Sequence, residues 1–264
     1  MNLDEYKSGA VRHILVYGPP KSGKTAAVGE LAKKFKLHYF DNEDSVKTLM
    51  NPERLDPSLR KNVNLFRIPD QQTNPMAIET MLKVLKPGTN VVCYSHGKVA
   101  CPVCSKDPAA KKSSINLAEL RVDQDILVID SWSQLVESAG NYIMRNEIAK
   151  DNFDAKMGWD EYGKQGRILE RIGSFIQTAP CNIVVISHEL MVEMEDKSKK
   201  IVPIGGTSNA SKAFAKYFDD VVYCEIMNRK HRLTSSTVGK PGVLAGSRAG
   251  YDLKEGDTLL KLFE

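Results

Sequence analysis

The sequence predicts an α/β fold: a mostly parallel central sheet flanked by helices, with antiparallel strands toward the C-terminus. Three observations predict it. Short apolar runs alternate with amphipathic stretches along the 264 residues, the pattern of strands joined by covering helices. Ile126-Leu127-Val128-Ile129 is apolar without a break, as central parallel strands buried on both faces are. Gly18 and Gly23 punctuate the passage from an apolar run to a helical stretch, a strand–turn–helix order. Residues 1–264 read as a single domain, with a small Cys-rich insertion at residues 89–115.

In chain order, Ile14-Leu15-Val16-Tyr17 is the first strand, and residues 24–35 form the helix after the glycine turn. Leu37-His38-Tyr39-Phe40 is a second strand, ending at the acidic cluster Asp41-Asn42-Glu43-Asp44. Residues 63–68 read as a third strand. Residues 76–85 carry apolar side chains at helical spacing, and Lys86-Pro87-Gly88 stops them. After the 89–115 section comes the apolar strand ending at Asp130, then helices over 132–150 and 160–178. Residues 181–188 are the next buried strand. Residues 191–195 and 200–204 flank the turn Asp196-Lys197-Ser198-Lys199 and read as a hairpin. Residues 221–263 alternate apolar and polar and read as strand-rich.

Gly18-x-x-x-x-Gly23-Lys24-Thr25 matches the Walker A pattern in full. Glycines let successive backbone N–H groups curl around phosphates, and the following helix N-terminus adds partial positive charge. ATP is therefore expected on residues Gly18, Pro19, Pro20, Lys21, Ser22, Gly23, Lys24, Thr25 and Ala26. Lys24 bridges the β- and γ-phosphates in such loops, and the Thr25 hydroxyl ligates Mg²⁺.

Asp130 ends the apolar strand, where a Walker B aspartate holds Mg²⁺. Its alternative is a helix N-cap before Trp132, a job Ser131 can do instead. Because Ser131 follows rather than a Glu, the catalytic base must come from elsewhere. Glu43 is the candidate, since it lies just past a strand whose C-terminal end faces the same crevice. Asp41 and Asp44 are its rivals, and a solvated acidic turn or cap is the other reading of the cluster. His188, at the end of a buried strand, is a candidate γ-phosphate sensor, a capped turn being its other reading.

Together these residues resemble the RecA/DnaB branch of P-loop ATPases. Val128-Ile129-Asp130-Ser131 resembles the Walker B segment of RecA, and Phe40-Asp41-Asn42-Glu43 the segment carrying its catalytic glutamate. Val185-Ile186-Ser187-His188-Glu189 resembles the sensor strand of short RecA-core ATPases encoded by bacteriophages. Ala245-Gly246-Ser247-Arg248-Ala249-Gly250 resembles a Lys-x-Arg-x-Gly element placed in a neighbouring subunit's ATP site. Gly246 stands where that element has Lys, which leaves Arg248 as the finger. The resemblance implies a RecA-like core, ATP hydrolysis, a homo-oligomer with ATP between subunits, and single-stranded DNA as partner. It further implies association with other recombination or replication proteins in a bacterial or phage-infected host cytoplasm.

Two segments are candidates for DNA contact. Residues 195–212 hold Lys197, Lys199, Lys200, Lys212 and the polar stretch Gly205-Gly206-Thr207-Ser208-Asn209, expected to be mobile. Asn228-Arg229-Lys230-His231-Arg232 is a second basic cluster. Both can equally be solvated hairpin ends.

Cys93, His96, Cys101 and Cys104 offer four zinc ligands within twelve residues, with Cys101-Pro102-Val103-Cys104 as a knuckle. Zinc would staple a segment too polar to bury a core of its own. Cys93 can instead be a plain core residue, as Cys181 and Cys224 are expected to be.

Formal net charge is +4, too small and too dispersed to identify a nucleic-acid partner by itself. No apolar run approaches the length of a membrane span. Met1-Asn2-Leu3-Asp4-Glu5-Tyr6 carries acids and no apolar core, so no secretory signal is expected. Five cysteines fit a reducing, cytoplasmic setting. Two other functions stay open on the residues: a nucleotide-dependent switch or assembly ATPase without a DNA role, and a small-molecule kinase.

Overall fold

The computed structural model describes residues 11–152, 154–194, 196–228, 230–238 and 242–264. Residues Met1 to Tyr6, Glu195 and Arg229, all cited above, lie outside the described residues.

The strands are β1 (His13–Gly18), β2 (Lys36–Asp41), β3 (Val63–Arg67), β4 (Asn90–Cys93), β5 (Lys112–Ile115), β6 (Asp125–Asp130), β7 (Asn182–Glu193), β8 (Lys199–Pro203), β9 (Asp220–Met227), β10 (Lys230–Thr234) and β11 (Gly246–Ser247). The helices are α1 (Lys24–Gly29), α2 (Met76–Val84), α3 (Trp132–Ile148), α4 (Trp159–Thr178) and α5 (Ser208–Ala213). The main sheet runs β10-β9-β1-β7-β6-β2-β3. From β9 to β3 all neighbours are parallel, while β10 adds antiparallel to β9. This is the RecA-like P-loop core the sequence implies, with the His188 strand between the loop strand and the Asp130 strand.

Period-two alternation builds two cores from the same strands. Leu15, Tyr17, Leu127, Ile129, Ile183 and Val185 face the layer of α2, α3 and α4. Ile14, Val16, Ile126, Val128, Val184 and Ile186 face α1 and the C-terminal turn. Every one of these twelve is at most 1% exposed, so the strands are sealed on both sides and their ends are fixed in register.

The structure departs from the sequence reading in four places. The helix after the glycine loop is α-helical only to Gly29, the weakest helix former in the stretch, and then tightens into a 3₁₀ turn, Glu30–Lys33. β7 does not end at His188. It leaves the central sheet there and continues to Glu193 as one arm of the β8 hairpin. Thr207 to Asn209 are not a mobile stretch, because the Thr207 side chain caps α5 and Ser211 Oγ accepts from Gly205 N at 2.9 Å. The tail is strand-rich only to Thr234. Beyond it lie β11 and a 3₁₀ turn, Leu259–Phe263, since glycines at 242, 246, 250 and 256 interrupt any extended run.

The cysteine section is a two-stranded antiparallel ribbon, β4 with β5, between α2 and β6. It is pinned to the body where the Thr80 hydroxyl donates to Gly97 O at 2.5 Å.

Candidate nucleotide-binding and hydrolysis site

Strand register brings the site together. Gly18 pairs with His188, Ile186 with Asp130, and Asp130 with Asp41. The C-terminal ends of β1, β7, β6 and β2 therefore form one row, the place where open parallel sheets bind ligands. An open cleft of about 860 Å³ lies over that row, lined among others by Lys24, Thr25, Glu43, Asp130 and His188.

The loop between β1 and α1 is held in its curl by two glycines. Gly18 (φ 155°) lies so close to Cys224 that a Cβ would stand 2.0 Å from its carbonyl oxygen. Gly23 (φ 94°) would drive a Cβ to 2.3 Å from His231 Nδ1. Both positions thus exclude any side chain. Lys24 folds back over the loop, its ammonium donating to Gly18 O at 3.0 Å and Pro19 O at 2.7 Å. Burial lowers its pKa, offset in part by Asp130 and Glu43. A cation in that position, on a glycine loop that leads into a helix, is suited to a polyphosphate.

Asp130 is 1% exposed and accepts three hydroxyl hydrogen bonds on Oδ2, from Thr25 at 3.0 Å, Ser45 at 2.6 Å and Tyr39 at 2.5 Å. Burial pushes its pKa up to about 6, against the pull of those donors. A buried carboxylate with no cation in salt-bridge contact among the described residues, ringed by hard oxygen atoms, fits Mg²⁺. Ser131 caps α3 by accepting from Gln134 N, so the capping alternative for Asp130 falls to its neighbour. The sign of Asp130's effect on stability follows from linkage. Its folded pKa lies above its unfolded one, so the stabilisation is present at pH 4 and lost as pH rises through 6. In EDTA without nucleotide, wild-type stability relative to Asp130→Asn is expected to fall by roughly 2–3 kcal/mol between pH 4 and 7. Urea unfolding curves that shift in parallel would contradict this.

The acidic cluster after β2 divides its labour. Asp41 Oδ1 accepts from Ser45 N at 2.9 Å and Ser45 Oγ at 3.1 Å, capping the 3₁₀ turn Ser45–Met50. Asp44 pairs with Lys47 and, at 3.7 Å, with Arg67, away from the cleft. Glu43 alone of the three acids lines the cleft. Its carboxylate accepts from Ser131 Oγ and lies 3.4 Å from His188 Nε2. Burial raises its pKa, but the His188 and Ser131 hydrogen bonds and the Lys24 charge outweigh that and hold it low. Asn42 clamps the same junction, with its side chain bonded to Ser131 N and, at 3.2 Å, to Ser131 O. His188 is held from behind by Ser133, whose Oγ accepts from its backbone N at 2.8 Å.

Two cleft residues carry no sequence signal. His231, on β10, reaches across to the loop, its Nδ1 2.7 Å from Ser22 O. Its Nε2 is 2.6 Å from Arg54 Nη1. Since arginine only donates and a carbonyl only accepts, this geometry suits donation from Nδ1 to Ser22 O and acceptance by Nε2 from Arg54. His231 thus belongs to the nucleotide cleft and not to a DNA-facing basic cluster. Lys230 pairs with Glu255 at 3.7 Å. Cys224 is buried as expected, but its thiol also donates to Ser22 O at 3.2 Å.

Arg248 is not in this cleft. It pairs with Asp219 Oδ1 at 3.4 Å and donates to Lys216 O at 2.9 Å. Asp219 N in turn bonds to His13 O at 2.8 Å, at the start of β1. Arg248 therefore stands a strand's length, roughly 17 Å, from the loop at the other end of β1. Its side chain is 58% exposed.

The four ligand atoms of Cys93, His96, Cys101 and Cys104 lie within 4.8 Å of one another. His96 Nδ1 is 3.3 Å from Cys104 Sγ, 3.6 Å from Cys101 Sγ and 3.8 Å from Cys93 Sγ. Tetrahedral zinc, with bonds of about 2.0–2.3 Å, sets its ligand atoms about 3.5–3.8 Å apart. Backbone N–H groups of Cys104 and Val103 hold the Cys101 thiol below its usual pKa, while burial and the neighbouring thiols push the Cys104 thiol up to about 11.

No helix among the described residues is long and apolar enough to cross a membrane.

The sequence has no match among curated proteins. Solved structures with a related fold are distant. An ATPase from the type III secretion system of pathogenic bacteria aligns at 10% identity and a TM-score of 0.43, over 90% of this chain and 58% of that one. The chain thus spans little more than half the length of that relative. Flagellar accessory protein FlaH from Methanocaldococcus jannaschii aligns at 11% identity and TM-score 0.43, over 92% and 82%. The model of the AAA_24 family, an AAA domain, matches residues 10–249. With a Walker loop on β1 and a family match over most of its length, the chain belongs to the AAA_24 family of P-loop ATPases.

Proposed function

We propose that this ATPase is an oligomeric, RecA-like protein acting on single-stranded DNA in recombination, annealing or replication, of the phage-encoded type. In this reading all 264 residues form one ATPase unit, with 89–115 inserted in it. The carrying observation is the Glu43–His188 contact on a strand that runs unbroken into the lysine-bearing hairpin. Lys197, Lys199 and Lys200 are exposed on that hairpin. A change at the γ-phosphate that moves His188 therefore has a direct mechanical path to a basic tip.

Lys24 and the loop amides hold the polyphosphate. Thr25 and Asp130 would hold Mg²⁺, which supplies charge neutralisation at the phosphates when bound. Glu43 orients a water and takes its proton, while His188 and Ser131 fix the carboxylate's direction. Arg248, remote from its own cleft, completes a neighbour's in this reading, with ATP between subunits. Cys93, His96, Cys101 and Cys104 hold a structural Zn²⁺.

The test is ATP turnover at low salt with and without single-stranded DNA, using Lys24→Ala as the blank. Stimulation of the Lys24-dependent rate by DNA is the expected result. Turnover that ignores DNA, with no DNA bound in the presence of ATP, overturns the DNA partner. A switch or assembly ATPase would then be the reading.

A further inference from the structure

Helices α3 and α4 lie side by side over the sheet, joined where Gln165 Nε2 donates to Val136 O at 2.8 Å. Beyond that joint an open groove of about 950 Å³ separates their outer faces. Arg145 lines it from α3, and Lys164, Arg167 and Arg171 from α4. No carboxylate of the described residues lines it.

The α4 cations stand at i, i+3 and i+7, one stripe of the helix, and span roughly 10 Å along the axis. None of the three acids of α4 lines the groove, although Asp160, four residues before Lys164, continues the same stripe at the amino end. Glu170, three residues after Arg167, lines a separate cleft with Trp132 and Leu169. Glu161 sits at the amino end, 3.6 Å from Lys164. Among the described residues, Arg145, Arg167 and Arg171 have no carboxylate partner. Three unpaired guanidinium groups gathered across one groove repel each other, a cost that an anion laid between them removes. The groove also holds an aromatic ring: Tyr142 lies under the Arg145 guanidinium, 4.4 Å from ring centre to charge. Planar guanidinium groups beside an aromatic face are the surface that takes phosphates and an unstacked base together.

We infer that the α3–α4 groove binds the backbone of a single-stranded nucleic acid, with Arg145, Arg167 and Arg171 on phosphates and the Arg145–Tyr142 stack against a base. The inference rests on the DNA-partner reading above and adds a second contact surface, on a helical face apart from the β7–β8 hairpin and from the ATP cleft. Ile168 and Ile143 give the groove an apolar floor, on which the sugar edge of the strand can lie.

The test measures binding of fluorescent oligothymidylate of about 30 nucleotides by anisotropy, across a salt series. The Arg145→Ala/Arg167→Ala/Arg171→Ala protein is expected to bind roughly 10- to 100-fold more weakly near 100 mM salt. Its slope of log affinity against log salt should be shallower by about 2, at roughly 0.7 per lost phosphate contact. Tyr142→Ala should lose affinity at an unchanged slope. The triple Arg→Lys protein, which keeps the charge, should keep most of the slope and so exclude misfolding as the cause. DNA-independent ATP turnover should be the same in all. If the triple Ala protein binds DNA as wild type does, the groove is wrong while the DNA reading stands. If wild type itself binds no DNA at low salt, both fail. If polyglutamate of equal charge competes as well as the oligonucleotide, the groove takes an acidic protein and the inference is overturned.

Discussion

Glu43→Gln is expected to lower kcat for ATP by roughly 10²–10⁴-fold, the usual worth of a positioned general base. KM should change only a few-fold. The amide can still accept from Ser131 Oγ and meet His188, so the cleft keeps its shape while losing the proton acceptor. The loop residues that hold the polyphosphate are untouched. Neither neighbouring acid can stand in for it. Asp41 is committed to Ser45 and Val46, and Asp44 to Lys47 and Arg67. Asp44→Asn should therefore leave turnover near wild type, and Asp41→Asn should act on stability by loosening the turn that also aims Ser45 at Asp130. His188→Ala should cost less than Glu43→Gln, because it removes a group that orients the carboxylate and leaves the carboxylate in place.

The second large effect concerns the cysteine ribbon. The purified protein is expected to carry one equivalent of zinc, and Cys101→Ser/Cys104→Ser should carry none by elemental analysis. Val92, Val99 and Ile115 reach from the ribbon into the main core, and beyond them its own core is little more than the three cysteines and half-buried Ala110. Four residues of β4 against four of β5 cannot hold a fold in water unaided. Structural zinc commonly contributes on the order of 10 kcal/mol to such units. Its loss should unfold residues 89–115 and lower the thermal midpoint of the whole chain, because Gly97 packs on Ile68 at the end of β3 and bonds to Thr80 of α2. A metal-free protein with an unchanged midpoint and protected ribbon amides would show that the cluster is a thiol-lined core and no metal site.

The parts of the fold legible in the sequence are those whose signal is local. Residues 126–130 are a central strand because nothing polar interrupts them, and the loop at 18–25 needs both glycines for reasons of backbone alone. The acids at 41–44 were visible as a cluster, but their separation into a cap, a surface pair and a cleft carboxylate depends on where Ser45, Arg67 and His188 come to lie. The cysteines could be read as ligands by type and spacing, and the ribbon geometry brings their atoms together. Other features were invisible because their partners are far apart along the chain. His231 and Arg54 meet over the loop across 177 residues, and His231 sat in a basic run that reads as solvated. The extension of β7 past His188 was hidden by the change from an apolar run to a polar alternation, which marks where a buried strand becomes a hairpin arm. The basic groove is likewise split between two helices, with one of its cations on α3 and three on α4.

The most direct measurement is to load Glu43→Gln and wild-type protein with Mg-ATP and follow bound nucleotide and released phosphate in the same sample. The geometry of the cleft predicts that Glu43→Gln binds ATP as wild type does and keeps it uncleaved. Phosphate released by Glu43→Gln at the wild-type rate would contradict it, and would move the base to another residue of the cleft.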